Sequence, residues 1–354
     1  MNENSLKIDN RSGYSQAIQS LKGIAALMVF LSHSIGFYKS SSVEAFYTTP
    51  FHLFTDGQCA VMLFFAITGF LTYRKKEINN KIYFSGIIRK YSRLYPTYII
   101  VTLVAFILCN SHLLWDKSLF TDWSNKFWET SIGYKELCKQ LVLIYPTNWD
   151  SLNPPMWYMH IDAQMVFFLP IIILLVNKIG VWVILPFIVS ECIWWIFPIH
   201  NKFITYYCFG ILGRYLIDKE SIRTIVVQKL IWILLLVSGV IMLDIYNVIG
   251  MREWSAVGVY EKLHLVQSLG ATLIVAIFYI KDFSFLKNKI FVTLGSLSYC
   301  IYLVHFPILL LLRSYPMNPV MFIFISFSLT VLFAGLLSLY NKRVEKVISQ
   351  RILK

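Results

Sequence analysis

Seven ionisable side chains and one tyrosine carry the chemistry that this sequence offers, and they fall in four short stretches. LKGIAALMVFLSH sets Lys22 and His33 eleven residues apart. At about 100° per residue that is three turns, so both project from one helical face, about 16 Å apart along its axis. RKYSRLYP carries Arg89, Lys90 and Arg93 ahead of Pro96, with Arg89 and Arg93 four apart on one face. Such a rim suits the phosphates of a soluble ligand, and equally suits positive charge retained on the cytoplasmic side of a membrane. WYMHIDAQ places Trp157, His160 and Gln164 on one face and Asp162 on another, and LGSLSYCIYLVHFP carries Ser298, Tyr299, Tyr302 and His305 before Pro307. Counting residues inward from the ends of the apolar runs puts His33, Asp162 and His305 at one depth. A carboxylate and two imidazoles in one layer predict proton transfer or a proton-coupled pathway; taken singly, each also serves as a polar bond between helices.

The elements that position these groups are apolar helices. Hydrophobic residues make up 57% of the 354 and charged ones only 14%, with mean hydropathy +0.62. A soluble domain carries about 25% charged residues, so much of this surface faces something other than water, which excludes an ordinary cytosolic enzyme. Ten segments are long enough to cross a bilayer: about 21–38, 57–73, 91–110, 155–176, 179–197, 203–217, 230–246, 263–280, 291–312 and 319–340. An even number puts both termini on one side, and 23 of the 32 lysines and arginines fall there, predicting cytoplasmic ends. The net charge of +13 is thus read as membrane topology, with no nucleic-acid partner. The six cysteines show neither a C-x-x-C pair nor metal-ligand spacing, so no disulfide framework and no metal are expected. The longest stretch between spans, 111–154, mixes Trp115, Trp123, Trp128 and Trp149 with charges and a short amphipathic run at 135–145. It reads as an interfacial cap anchored by tryptophans in preference to a recognition lid.

LKGIAALMVFLSH, FFAITGF (64–70), RKYSRLYPTY (89–98), WYMHIDAQ (157–164) and LGSLSYCIYLVHFP (294–307) resemble, in order, the signatures of the acyltransferase-3 family of membrane-bound O-acyltransferases. The resemblance implies an all-α polytopic protein of about ten helices, one integral-membrane domain over 1–354 with no appended SGNH domain, in a bacterial plasma (inner) membrane. It implies transfer of an acyl group, commonly acetyl from acetyl-CoA, to a hydroxyl of a surface or exported carbohydrate or lipid-linked glycan such as O-antigen. Carried over by position, His33 is the catalytic histidine, Lys22 the basic residue eleven before it, Arg89 and Arg93 (with Lys90) the basic cluster, Asp162 the acidic residue and His305 the second histidine. Three residues depart from the family pattern: Lys22 replaces an arginine and loses its bidentate fork, Asp162 replaces a glutamate, and His160 stands where a serine or alanine is usual.

On this reading the donor's nucleotide binds at the Arg89/Arg93 rim, its arm passes Lys22, and His33 takes the proton of a sugar hydroxyl. Asp162 orients an imidazole, and His305 or Tyr299 stabilises the oxyanion. A transient acyl-His33 is the alternative route. The sequence has no G-x-S-x-G elbow, which argues against a serine-hydrolase triad. The rival class is a multi-pass transporter or flippase of a saccharide or small molecule, in which buried histidines and proline-broken helices are also expected.

Overall fold

The structure, a computed structural model, describes residues 16–39, 49–74, 80–143, 151–192, 202–249, 257–281 and 283–352; Trp149, Tyr145 and the basic residues Lys75 and Lys76 lie outside them. Among the described residues every regular element is a helix. The longer ones are α1 (Gln16–Gly36), α2 (Gly57–Thr72), α3 (Asn80–Cys109), α4 (Tyr134–Leu141), α5 (Met156–Ile179), α6 (Leu185–Cys192), α7 (Lys202–Ile217), α8 (Glu220–Val226), α9 (Lys229–Leu243), α10 (Val257–Ile280), α11 (Lys289–Leu312) and α12 (Pro319–Ile352). Six of them (α1, α3, α5, α10, α11 and α12) are long and apolar enough to cross a membrane, and α8 with α9, bent by 86°, makes a seventh if taken as one span. Nine of the ten expected segments fall on helices of at least 15 residues, of which α2 and α7 have only 16, whereas the expected segment 179–197 shows a short turn and the eight-residue α6 and ends outside the described residues, so ten crossings are not established. The chain is that of a multi-pass membrane protein.

The described chain divides into two compact units. The first comprises residues up to Ile24, Met62–Lys75 and Leu175–Ser296. Its helices meet through glycines, because in lipid the attraction between helices comes from close packing rather than from expulsion of water. A Cβ on Gly295 of α11 would stand 1.8 Å from the Gln19 carbonyl oxygen of α1, and one on Gly23 would stand 2.5 Å from the Gly295 nitrogen. Gly69 of α2 lies in the same way against the Tyr207 carbonyl of α7. Three glycines of the sequence signatures, Gly23, Gly69 and Gly295, are therefore packing residues. On α9 the exposed Leu230, Leu234, Val237 and Ile241 recur at spacings of four and three, one apolar stripe on the outside of the unit, as a lipid-facing helix requires.

The second unit comprises Ala25–Val61, Lys76–Leu174 and Leu297–Lys354. Here α12 is amphipathic in the inverse sense. Its buried positions are Phe322, Ser326, Thr330, Ala334, Ser338 and Asn341, mostly small or polar, whereas Phe324, Leu332, Leu336 and Leu339 are exposed. Lipid solvates leucine as well as a protein core does, so the inner face is chosen for close approach and hydrogen bonding. The helix α11 is the opposite extreme: 72% of its apolar window is buried, against 22% for α12. It also contains Pro307, which has no N–H to give the carbonyl four residues earlier. That carbonyl belongs to Leu303, and the Asn153 side-chain amide donates to it at 2.9 Å. The Tyr302 hydroxyl donates to the Pro155 carbonyl at 2.7 Å, so the start of α5 is pinned at the level of Tyr302.

Asn153→Ala should therefore destabilise the protein by about 1–3 kcal/mol, the cost of leaving a buried carbonyl unsatisfied, read as a lower thermal midpoint in detergent. In a Pro307→Ala background, where the backbone N–H returns, the same substitution should cost less. Equal losses in the two backgrounds would mean that Asn153 acts through packing alone.

Candidate active site

The second unit brings His33 and His305 into direct contact. His33 Nδ1 and His305 Nε2 are 2.8 Å apart. The two ring planes differ by only 8° with centroids 5.1 Å apart, the geometry of two rings edge to edge in nearly one plane, as an in-plane N–H···N bond demands. The other nitrogen of His305, Nδ1, lies 3.1 Å from the Ile301 carbonyl oxygen, one turn back on α11. A carbonyl only accepts, so Nδ1 of His305 carries the proton and donates it. With both rings neutral, His305 Nε2 is then an acceptor, His33 Nδ1 is the donor to it, and the lone pair of His33 is on Nε2. His305 is fully buried while His33 is half-buried, so the basic nitrogen belongs to the accessible member of the pair.

Aromatic rings enclose the pair. Phe306 presents its edge to His33 at 5.1 Å, and the indole of Trp123 lies nearly parallel to the His33 ring, 17° between planes and 5.7 Å between centroids. Trp123 comes from the stretch 111–132, which is held over the C-terminal end of α1. Thr121 donates its hydroxyl to the Gly36 carbonyl at 2.8 Å and its N–H to the Phe37 carbonyl at 2.8 Å. Ser124 donates its hydroxyl to the same Phe37 carbonyl. From the end of α11 the buried Arg313 donates to the carbonyls of Ser124 and Phe127, and its guanidinium lies 3.5 Å from the centroid of the Trp115 ring. Sequence reasoning treated the tryptophans as interfacial anchors; the structure gives one of them to His33.

Asp162 is not in this layer, which corrects the expectation of one depth for the three groups. Its carboxylate takes Lys90 Nζ at 2.8 Å, an ion pair with both side chains largely buried. Because Tyr302 is level with Pro155, Asp162, seven residues further along α5, and His305, three residues further along α11 in the opposite direction, lie about 15 Å apart in height. The estimate from sequence assumed helices flush at a common surface, whereas α11 continues past the start of α5 and is covered there by 111–132. Lys90 likewise departs from the expected rim, since it points inward to Asp162 while Arg89 and Arg93 are exposed on one face of α3. Tyr299 sits six residues, about 9 Å, before His305, and its hydroxyl donates to the Leu94 carbonyl. Together with Lys90, Tyr91, Leu94, Tyr98, Leu143, Met159 and Ala163 it lines a small cleft. His160 is buried, edge-on to Tyr98 at 6.0 Å, and Lys22 is half-buried on α1, three turns before His33.

Arg313 is the residue on which the cover over His33 turns. Arg313→Ala, and also Arg313→Lys, which keeps the charge but not the two-pronged donor, should expose 111–132: tryptic cleavage at Lys117 and Lys126 should quicken about tenfold or more, a hydrogen bond from a charged group contributing about 1.5–3 kcal/mol. Unchanged cleavage in both variants would assign the anchoring to Thr121 and Ser124 instead.

No curated protein and no solved structure gives a significant match to this chain. The model of the acyltransferase-3 family, described as an acyltransferase domain, matches residues 15–339. That range runs through His33, the basic cluster, Asp162 and His305, and with nearly the whole sequence matched the chain belongs to the acyltransferase-3 family.

Proposed function

We propose that the protein is a membrane-bound O-acyltransferase that moves an acyl group, acetyl from acetyl-CoA as the foremost donor, onto a hydroxyl of a surface or exported carbohydrate, in a bacterial inner membrane with both termini cytoplasmic. The observation that carries the reading is the pair of imidazoles ending in an unprotonated Nε2 on the accessible member. Family membership supplies the reaction class, acyl transfer.

The step follows from that nitrogen. The acceptor O–H proton passes to His33 Nε2 as its oxygen bonds to the thioester carbonyl carbon. The tetrahedral adduct then expels the thiolate, breaking the C–S bond. The imidazolium returns its proton to the thiolate, giving an ester, a free thiol and the original neutral pair. While His33 is protonated, its Nδ1–H remains directed at His305 Nε2, so His305 acts as the positioning residue, in the manner of the acid that orients the histidine of a hydrolytic triad. This supports a role for His305 different from oxyanion stabilisation, since its own N–H is given to Ile301. The Tyr299 proton is engaged in the same way by Leu94.

On the donor side, Asp162 balances Lys90, and of the exposed cations of α3, which also include Lys81, Arg89 and Arg93 are the pair assigned to the nucleotide phosphates. Lys22, three turns before His33 on the same helix, is the cation assigned to the donor's arm.

His33→Ala should lower transfer about 10²–10⁴-fold, the usual contribution of a general base, with the protein still accumulating in membranes; near-normal product would remove His33 from the chemistry. His305→Ala should lose about 10²-fold, and His305→Asn, which restores an acceptor for the Nδ1–H, should recover part of it. Arg93→Ala should raise the acetyl-CoA KM about tenfold and leave kcat near its original value; an unchanged KM would refute the proposed entry of the donor.

A further inference from the structure

The reading above leaves the acceptor without a binding group, and one residue beside His33 has the character of one. Trp123 is the third near-parallel ring of the site, and the residue remains 37% exposed although Phe37, Phe127 and Phe306 stand edge-on around it. Atoms in contact are about 3.5–4 Å apart, so with centroids 5.7 Å apart and planes 17° from parallel the imidazole is not centred on the indole. The indole therefore keeps surface free beside the base.

We propose that this uncovered indole face is the acceptor platform: a pyranose ring of the glycan stacks on Trp123 and thereby presents a rim hydroxyl to His33 Nε2. The inference rests on the acyl-transfer reading and assigns the acceptor a binding residue. A pyranose has an apolar face of C–H bonds, weakly positive, that matches the negative face of an aromatic ring, and hydroxyls around its edge that lie to the side of the stack. The offset between the two rings of the protein is what this shape needs, with a face for the ring and a base for its edge. The other aromatic-seeking ligand of the reaction is the donor's nucleotide base, and it carries phosphates. Those phosphates are already assigned to the exposed Arg89 and Arg93 of α3. Trp123 is also rigidly placed for the task, since its neighbours Thr121 and Ser124 are bonded to the end of α1 and Arg313 holds the segment from α11.

The test expresses wild type, Trp123→Phe, Trp123→Leu and His33→Ala in cells that lack their own copy, at matched membrane levels, with Trp123→Met used where the leucine variant does not accumulate. Acyl substitution of the surface glycan is read by mass spectrometry, and the acetyl-CoA dependence is measured in membranes from the same cells. The phenylalanine variant should retain transfer within about threefold, while the aliphatic one should fall to a tenth or less, with the acetyl-CoA requirement unchanged within twofold. Wild-type transfer by the aliphatic variant, an equal fall in both variants, or a fall accompanied by a raised acetyl-CoA requirement would each overturn the platform. Product formed by His33→Ala would instead overturn the acyl-transfer mechanism itself, so the two failures are distinct.

Discussion

The site depends on one hydrogen bond, the in-plane contact between His33 and His305. A lone imidazole inside an apolar bundle has two competent tautomers and little to choose between them. Fixing one nitrogen of His305 on the Ile301 carbonyl removes the choice, and the 2.8 Å contact passes the decision to His33. The helix that carries His305 contains a proline two residues later, and the carbonyl which that proline cannot bond accepts from Asn153. The irregularity in α11 is thus compensated locally, and the turn that presents His305 stays in register with α1.

The surrounding architecture obeys the solvent in which it stands. In water an amphipathic helix turns its leucines inward; α12 turns serine, threonine and alanine inward and leucine and phenylalanine outward. Glycines serve the same end in the first unit, where Gly23 with Gly295, and Gly69 with Tyr207, allow backbones to approach more closely than any side chain permits. With attraction between helices resting on fit and on hydrogen bonds, polar residues such as Asn341, whose amide donates to the Arg93 carbonyl, contribute both adhesion and register.

The helical, membrane-embedded character was legible in the sequence because apolar runs and charge distribution are local properties. His33 and His305 were legible as candidates because ionisable groups are costly at membrane depth and stand out against their apolar neighbours. The level of Asp162 was not legible: it depends on how far α11 overshoots the start of α5, and no count within one helix contains that offset. Lys90 was grouped with Arg89 and Arg93 by adjacency, although one residue of helix turns a side chain by about 100° and sends it to a different neighbour. Asn153, Arg313 and Trp123 were hidden for a related reason. Each takes its meaning from a partner far along the chain, and the only trace was a tryptophan-rich loop ahead of a Pro-Pro pair and one arginine at a helix end.

The 272 residues between the two imidazoles also bear on how the protein is made. The helix that holds His33 leaves the ribosome well before its partner, which arrives on α11. In between, the nascent chain carries the His33 imidazole without the hydrogen bond that directs it. A product truncated before α11 lacks the contact between the two imidazoles, however well its helices are embedded in the bilayer.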